Sequence, residues 1–502
     1  MSETAARTGD LVLAIDVGLT NCKAVLFDLD GQIVSRMAVP YETSRPTRDR
    51  VEQDPGAWWE AAIVAVRCVI AQKTRRSRRV LAIGVTAHMH ALACVNAKLR
   101  PLGPALILGD RRATGEAEEI TTEVGEDVVY RTTGTVMDPS MPAAKIRWLW
   151  RNEPERWSET AWFLGCKDFL RARLTGEVAT EPVDACATSL YDLGRAGWSE
   201  TIAEAARAPL YTLPPIRRPE SMAGGLLTAA AAQLGLPNGT PVIIGAGDDI
   251  EVLGNGLLDA GQSLEHLGTT GSILAVAASA TPDPTRALEL YPHTIDGLWV
   301  IGGSMTAAGA ALDWAARSLG YRSVKEAAGC LTAWPTAAHA PVFLPNLEGS
   351  RSPRREPFER GAWLGMRPDT SRADLMLAAF EGVAQGIQAI LARTEELVGA
   401  TGPITVSAGE SADPGWLQVR ADVYGRPLAV LETSEPTALG LLTLATAALG
   451  VDESPAAAVR RIVRVAKLVE PRPAGTRARR LEVVAALGLA LRDTWQVLAG
   501  AE

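Results

Sequence analysis

Residues 11–31 read LVLAIDVGLTNCKAVLFDLDG, and this stretch decides the fold class. LVLAID is an apolar run ending in one carboxylate, Asp16; VGLTN turns the chain; KAVLFDLDG is a second apolar run closed by a turn signal. The pattern predicts strand, tight turn, strand. The turn gathers Asp16, Gly18, Thr20, Asn21 and Lys23. Successive N–H groups in a glycine-containing turn cradle anions, and a carboxylate beside them can hold Mg2+ directly or through its waters. Taken alone, D-x-G-x-T fits a plain hairpin with Asp16 capping the turn equally well.

Working outward, Asp54-Pro55 starts an amphipathic helix running to about Gln72, followed by a strand at Val80–Thr86. Further helices are expected at Ala143–Arg151, Asp168–Leu174 and Met222–Leu234, then a strand at Pro241–Ile244. Strands alternating with crossover helices argue for α/β architecture, a mixed sheet with helices on both faces. SLEHLGTTGSILAVA at 263–277 repeats the opening, with Gly268, Thr269, Thr270 and Gly271 as its turn. Such an echo points to duplication. The boundary then falls near Gly254–Gly261, giving halves 1–256 and 257–502 whose two turns face each other across a cleft. The second half continues with a strand at Trp299–Gly302, a helix over Ala307–Leu319, a long helix Asp374–Val398, a strand Ile404–Val406, a helix from about Pro436 to Leu449 and a terminal amphipathic helix Arg480–Leu498.

Composition narrows the class. The 502 residues exceed what one core usually organises, and 47% apolar with 22% charged residues is the make-up of a globular chain. A net charge of −8 offers no electrostatic footprint for nucleic acid, and the basic run Lys73–Arg79 reads as a solvated loop. Six cysteines without a C-x-x-C pair fit a reducing cytosol rather than a zinc or disulfide framework. Residues 1–10 are short and polar, and no apolar run is long enough to span a bilayer, so a cytoplasmic location without membrane partners is expected.

GAGDD at 245–249 follows a strand and lies between the halves, which places Asp248 where a closing cleft would bring it to a substrate hydroxyl. An Asp-Asp turn or helix cap explains the same residues without function. His88, Met89 and His90 follow the strand at Val80–Thr86; alternation would put both imidazoles on one face, but no third ligand is spaced for a metal, and local hydrogen bonding is the preferred reading. Neither a Walker A sequence nor a G-x-G-x-x-G after a strand is present.

The chain resembles the FGGY family of carbohydrate kinases over nearly its whole length. The stretches that carry the resemblance include AIDVGLTNCKAVLFD at 14–28, SMPAAKIRWLWRN at 140–152, CKDFLRARLTGEVAT at 166–180, GAGDDIEVLGNG at 245–256, LGTTGSILAV at 267–276, FLPNLEGSRSP at 343–353 and GAWLGMRPDTSRADLMLAAFE at 361–381. The resemblance implies two actin-like (ribonuclease-H-like) domains around a cleft, ATP with Mg2+, and a small-molecule sugar or polyol as acceptor, most similarly to xylulokinase-like members. It further implies that Asp16, Gly18, Thr20, Asn21 and Lys23 hold the phosphates, with Asp16 near the metal. Gly268, Thr269, Thr270 and Gly271 would hold them from the other side. Gly309, Gly409, Glu410 and Asp413 would border the adenosine end, and Asp248 would be the base. Met89, His90 and Asp110 match sugar-contacting positions, beside His88 and Arg111. A homodimer is compatible with all of this.

The departures bear on the substrate. His88-Met89-His90-Ala91 stands where xylulokinase-like members have Gln-Met-His-Gly, and Leu108-Gly109-Asp110-Arg111 where they have Trp-Asn-Asp before an Arg. The absence of an Arg-Glu pair at the first place argues against glycerol. An aldonate of gluconate type, or a tetritol, is the alternative acceptor, with Arg111 or Arg112 supplying a cation for an aldonate's carboxylate. The nucleotide loop carries Glu410 where consecutive glycines are usual, and Leu19 replaces a hydroxyl residue. A non-catalytic nucleotide-binding protein on the same scaffold is the rival of another class.

Overall fold

A computed structural model describes residues 9–72, 79–334, 340–407, 413–473 and 477–499. The opening stretch forms the expected hairpin: β1 (Leu11–Val17) pairs antiparallel with β2 (Asn21–Asp28), and β2 with β3 (Ile33–Pro40). After α1 (Pro55–Gln72) the chain returns as β4 (Val80–Ala87), parallel to β1 with Asp16 opposite Thr86. Helices α2 (Pro142–Asn152), α3 (Cys166–Thr175) and α4 (Pro182–Cys186) follow. β5 (Met222–Gly225), α5 (Thr228–Leu234) and β6 (Pro241–Ile243) complete a sheet of order β5-β6-β4-β1-β2-β3. Here the expectation of one helix over Met222–Leu234 is corrected. The first four of those residues pair antiparallel with β6, and Gly224 adopts φ +139°, a backbone that no helix contains.

The second half begins past α6 (Glu251–Gly254). β7 (Ser263–Leu267), β8 (Gly271–Ala277), β9 (Glu289–Pro292) and β10 (Trp299–Met305) pair antiparallel with one another. α7 (Gly309–Ser318) and the long α8 (Arg372–Val398) precede β11 (Ile404–Val406), which is parallel to β7. α9 (Pro414–Tyr424) leads to β12 (Leu428–Leu431), parallel to β11; α10 (Pro436–Ala448), α11 (Pro455–Ile462) and β13 (Val465–Val469) complete this sheet. Its order is β9-β10-β8-β7-β11-β12-β13. Strands β3-β2-β1-β4-β6 and β10-β8-β7-β11-β12 match one for one, an antiparallel three-stranded run continued on the far side by parallel strands. The echo of residues 11–31 at 263–277 is therefore structural as well. The terminal helix divides at Leu491 into Arg477–Ala490 and Arg492–Ala499.

β1 is apolar apart from Asp16 because both its faces are covered. Leu11, Leu13, Ile15 and Val17 pack with Trp58, Ala62, Val66 and Phe169 from α1 and α3. Val12 and Ala14 face the other way, onto Leu441, Leu442 and Ala445 of α10 and Val459 of α11. Alternation with period two thus divides one strand between two cores. The second core is built by helices from the other half of the chain. That contact is close: a Cβ on Gly254 would stand 1.7 Å from the Pro436 carbonyl oxygen, and one on Gly440 would stand 2.5 Å from that of Ile250. Among the described residues α8 is the one helix long and apolar enough to cross a membrane. Met376, Phe380, Val383 and Ile387 bury it in the core of the second half, and Ser371 and Asp374 close its first turn with a reciprocal capping box.

Candidate active site

Every element of the site leaves the same edge of its sheet. β1, β4 and β6 are mutually parallel neighbours, so Asp16, His88–His90 and Gly245–Asp248 emerge side by side at their carboxyl ends. β7, β11 and β12 do the same in the second sheet, which places Gly268–Gly271, Ser407 and Glu432–Glu435 together. Open α/β sheets bind ligands at this edge.

In the first turn, the Gly18 N–H donates to the Asn21 carbonyl at 3.0 Å. The Tyr41 hydroxyl donates to the Gly18 carbonyl, and the Gln53 side-chain amide to that of Leu19 at 2.8 Å. These bonds fix the turn and leave Leu19 and Thr20 exposed. Burial pushes the Asp16 carboxyl up to about 6; Lys23 opposes this, while Glu435 and Glu251 reinforce it. Lys23 Nζ lies 3.9 Å from Asp16 and 3.1 Å from Glu435, which opens α10, and Arg36 holds the other oxygen of Glu435 at 3.2 Å.

Asp248 follows a backbone that only glycine can form. Gly245 has φ +74°, and a Cβ there would lie 2.0 Å from the Val85 carbonyl oxygen. The Gly247 N–H donates to Glu181 at 3.0 Å, and a Cβ on Gly247 would meet Asp184 at 2.8 Å and the Met89 sulfur at 2.9 Å. Burial, followed by the charges of Asp249, Asp16, Glu251 and Asp184, pushes the Asp248 carboxyl well above the usual range. Asp249 rises to about 8 for the same reasons, burial first and then Glu251.

The second turn closes on α7. The Gly268 N–H donates to the Thr270 carbonyl at 2.9 Å, and the Gly309 N–H donates to the Gly268 carbonyl at 3.0 Å. A Cβ on Gly309 would come within 2.4 Å of that oxygen, and one on Gly271 within 2.6 Å of Ile387. Gly309 is therefore a neighbour of the turn itself. Asp413 caps α9 by accepting the Trp416 N–H at 3.0 Å. Gly409 and Glu410 lie outside the described residues, as do residues 73–78 of the basic run.

On the expected sugar side, His90 leaves strand geometry with φ +64°. The two imidazoles therefore do not form the regular pair that alternation predicts. The His90 Nδ1 lies 2.9 Å from the Ala187 carbonyl oxygen. His88 is buried edge-on against Trp58, and desolvation lowers its ring to about 4, so it is neutral near pH 7. Met89, His90, Asp168, Asp184 and Thr188 share a small cavity of about 30 Å³, space for about one water. Asp110, expected to contact the sugar, is fully buried instead: it accepts the Val51 N–H at 2.7 Å and Arg112 at 2.8 and 2.9 Å. These three bonds engage both oxygens of the carboxylate. Arg112 is likewise committed, to Asp110 and Glu52, whereas the Arg111 side chain is exposed.

Two groups beneath the site were not foreseen. Lys145 is fully buried and donates to the carbonyls of His90, Leu106 and Ile107 at 2.8, 3.3 and 3.0 Å. Desolvation lowers its ammonium to about 7. Lys167 bridges Asp168 at 2.6 Å and Asp184 at 3.1 Å, with Glu181 4.0 Å away. Its signal was a lysine and an aspartate, Lys167 and Asp168, at the start of an otherwise core-facing helix.

Two duplicated, ribonuclease-H-like domains with glycine turns and a carboxylate between them define an actin-like phosphotransferase scaffold. The models of the FGGY family of carbohydrate kinases match the chain at residues 11–253 (N-terminal domain) and 266–449 (C-terminal domain). Xylulose kinase of Escherichia coli K12 is 30% identical over 423 residues, covering 83% of this chain and 86% of the relative. Gluconokinase of Bacillus subtilis 168 is 27% identical over 456 residues, covering 88% of each. The crystal structure of xylulose kinase from Rhodospirillum rubrum superposes with a TM-score of 0.89 at 27% identity, covering 97% of this chain and all of that one. The chain belongs to the FGGY family and is a sugar kinase, for which ATP is the implied phosphoryl donor.

Proposed function

We propose that the protein transfers the γ-phosphoryl group of ATP to a hydroxyl of a small open-chain sugar, with a xylulose-like pentulose favoured, in the cytoplasm and with Asp248 as base. The observation that carries this reading is the convergence on Asp248: Asp16 acts on its charge, Met89 occupies the space a side chain on Gly247 just before it would need, and Glu251, three residues on, bonds His266 beside the second turn.

Phosphoryl transfer asks the protein mostly for positioning and charge neutralisation, because the transferred group passes through a loose transition state. The turns at 18–21 and 268–271 present N–H groups to the phosphates from two sides. Asp248 orients the acceptor hydroxyl, takes its proton as the new O–P bond forms, and the β–γ bridging oxygen departs with ADP. Among the described residues no group of three His, Cys, Asp or Glu side chains is placed to hold a metal ion by itself, so Mg2+ would rest on Asp16, phosphate oxygens and water. Bound there, Mg2+ would supply charge neutralisation for the phosphates.

The likeness to a gluconokinase favours a second reading, an aldonate acceptor. Its carboxylate would fall to Arg111, because Arg112 is occupied. Assaying ADP release with xylulose, ribulose, a tetritol and gluconate separates the two: turnover with the ketopentoses supports the first reading, turnover with gluconate alone replaces it, and none with any acceptor removes both.

A further inference from the structure

His266 is the penultimate residue of β7, one residue before the second glycine turn, and the expected nucleotide site does not include it. Its Nδ1 lies 2.9 Å from Oε2 of Glu251, the residue that opens α6 just past Asp248. With Nδ1 donating to that carboxylate, Nε2 is the free end of the ring. It points along the turn, 3.6 Å from where a Cβ on Gly268 would stand, and the side chain is 53% exposed rather than packed in a core. We propose that His266 is a phosphate-binding cation, held by Glu251 so that its Nε2–H contacts the terminal phosphate of the nucleotide beside the Gly268–Gly271 turn.

The groups facing the ring make it a cation. Glu251 dominates by charge and hydrogen bond, Asp248 and Asp249 add to it, and burial opposes them; the balance raises the imidazole to about 9. Lys23, the cation on the opposite side of the cleft, is held by Glu435. His266 is thus the charge on the second domain's side that would meet the phosphate nearest Asp248. Without it, the Glu251 carboxylate would face the triphosphate uncompensated. The imidazolium both neutralises Glu251 and offers a charge-assisted donor. Because the contact is with the terminal phosphate, its energy is realised with the triphosphate and not with the diphosphate product.

This inference rests on the kinase reading, and binding measurements separate the two. The dissociation constants of a non-hydrolysable ATP analogue and of ADP would be compared in the wild type, His266→Gln and His266→Lys, with thermal melting as the control for folding. Loss of one charge-assisted contact predicts that H266Q weakens the ATP analogue about tenfold or more and ADP less than about twofold. H266K, which restores the charge, is expected to recover much of the difference. Equal weakening of both nucleotides, or of neither, would overturn the proposal and leave His266 as an ion pair between the halves. A wild-type protein that binds nucleotide but phosphorylates no sugar would instead defeat the kinase reading, while the binding comparison would still judge His266.

Discussion

Glu435 and Lys23 stand 412 positions apart in the chain and meet with Nζ 3.1 Å from Oε2. The contact joins the N-terminus of α10 to the strand that leaves the first glycine turn, so the helix that covers the first sheet also sets the position of its cation. Lys23 is 39% exposed and its ammonium is within reach of a ligand. Lys23→Met should raise KM for ATP by about tenfold or more, the range of one charge-assisted phosphate contact, with little change in melting temperature. Steady-state kinetics at saturating sugar checks this.

Lys167 touches both Asp168 and Asp184, and Glu181 next to it holds the Gly247 N–H ahead of Asp248. Removing one partner from a buried charge cluster commonly costs about 3–5 kcal/mol, because the remaining charges stay desolvated. Lys167→Met should therefore lower stability by that order and reduce kcat in whatever fraction folds. Denaturant unfolding measures the first effect, and active-site-normalised turnover the second.

Asp110 distinguishes a structural carboxylate from a ligand contact. Its buried pairing with Arg112 predicts that Asp110→Asn destabilises by about 3 kcal/mol or more, while KM for the sugar in folded protein changes by less than about threefold, under 1 kcal/mol. A large KM effect with unchanged stability would return Asp110 to the sugar.

The His266–Glu251 pair gives stability a defined pH dependence. The ring rises from its ordinary value near 6.5 to about 9 in the folded protein, so the folded state binds the extra proton between those values. Its contribution is therefore complete below about pH 6.5 and is lost as pH climbs through about 9. The wild type should be more stable than His266→Gln at pH 6, with the gap closing by pH 9.5 in parallel denaturant titrations.

The strand–turn–strand opening, its echo at 263–277 and the glycines before Asp248 were legible in the sequence because each is a local pattern: apolar period, turn residues and a carboxylate within a few positions. Most of the long helices were too, within two residues at their ends, as at Asp374–Val398 against the observed Arg372–Val398. What escaped depends on contacts between distant residues. Met222–Gly225 is apolar and small enough to read as helix, and only pairing with β6 makes it a strand. Asp110 matched a sugar-contacting position, yet the backbone N–H of Val51, 59 residues earlier, and Arg112 bury it. His266 reads as a strand residue, which it is; that Glu251 bonds its ring follows only from the fold. No spacing rule relates such partners, so the charge balance of the cleft emerges only once the two halves are packed together.

In the proposed mechanism Asp248 receives the hydroxyl proton. Its most direct test is the turnover number of Asp248→Asn, an isosteric change that keeps the chain's shape, measured at saturating ATP and sugar after confirming an unchanged melting temperature and nucleotide affinity. The expected result is a loss in kcat of about 10²–10⁴, the usual worth of a general base. A variant that still phosphorylates the sugar within a few-fold of the wild-type rate would contradict it.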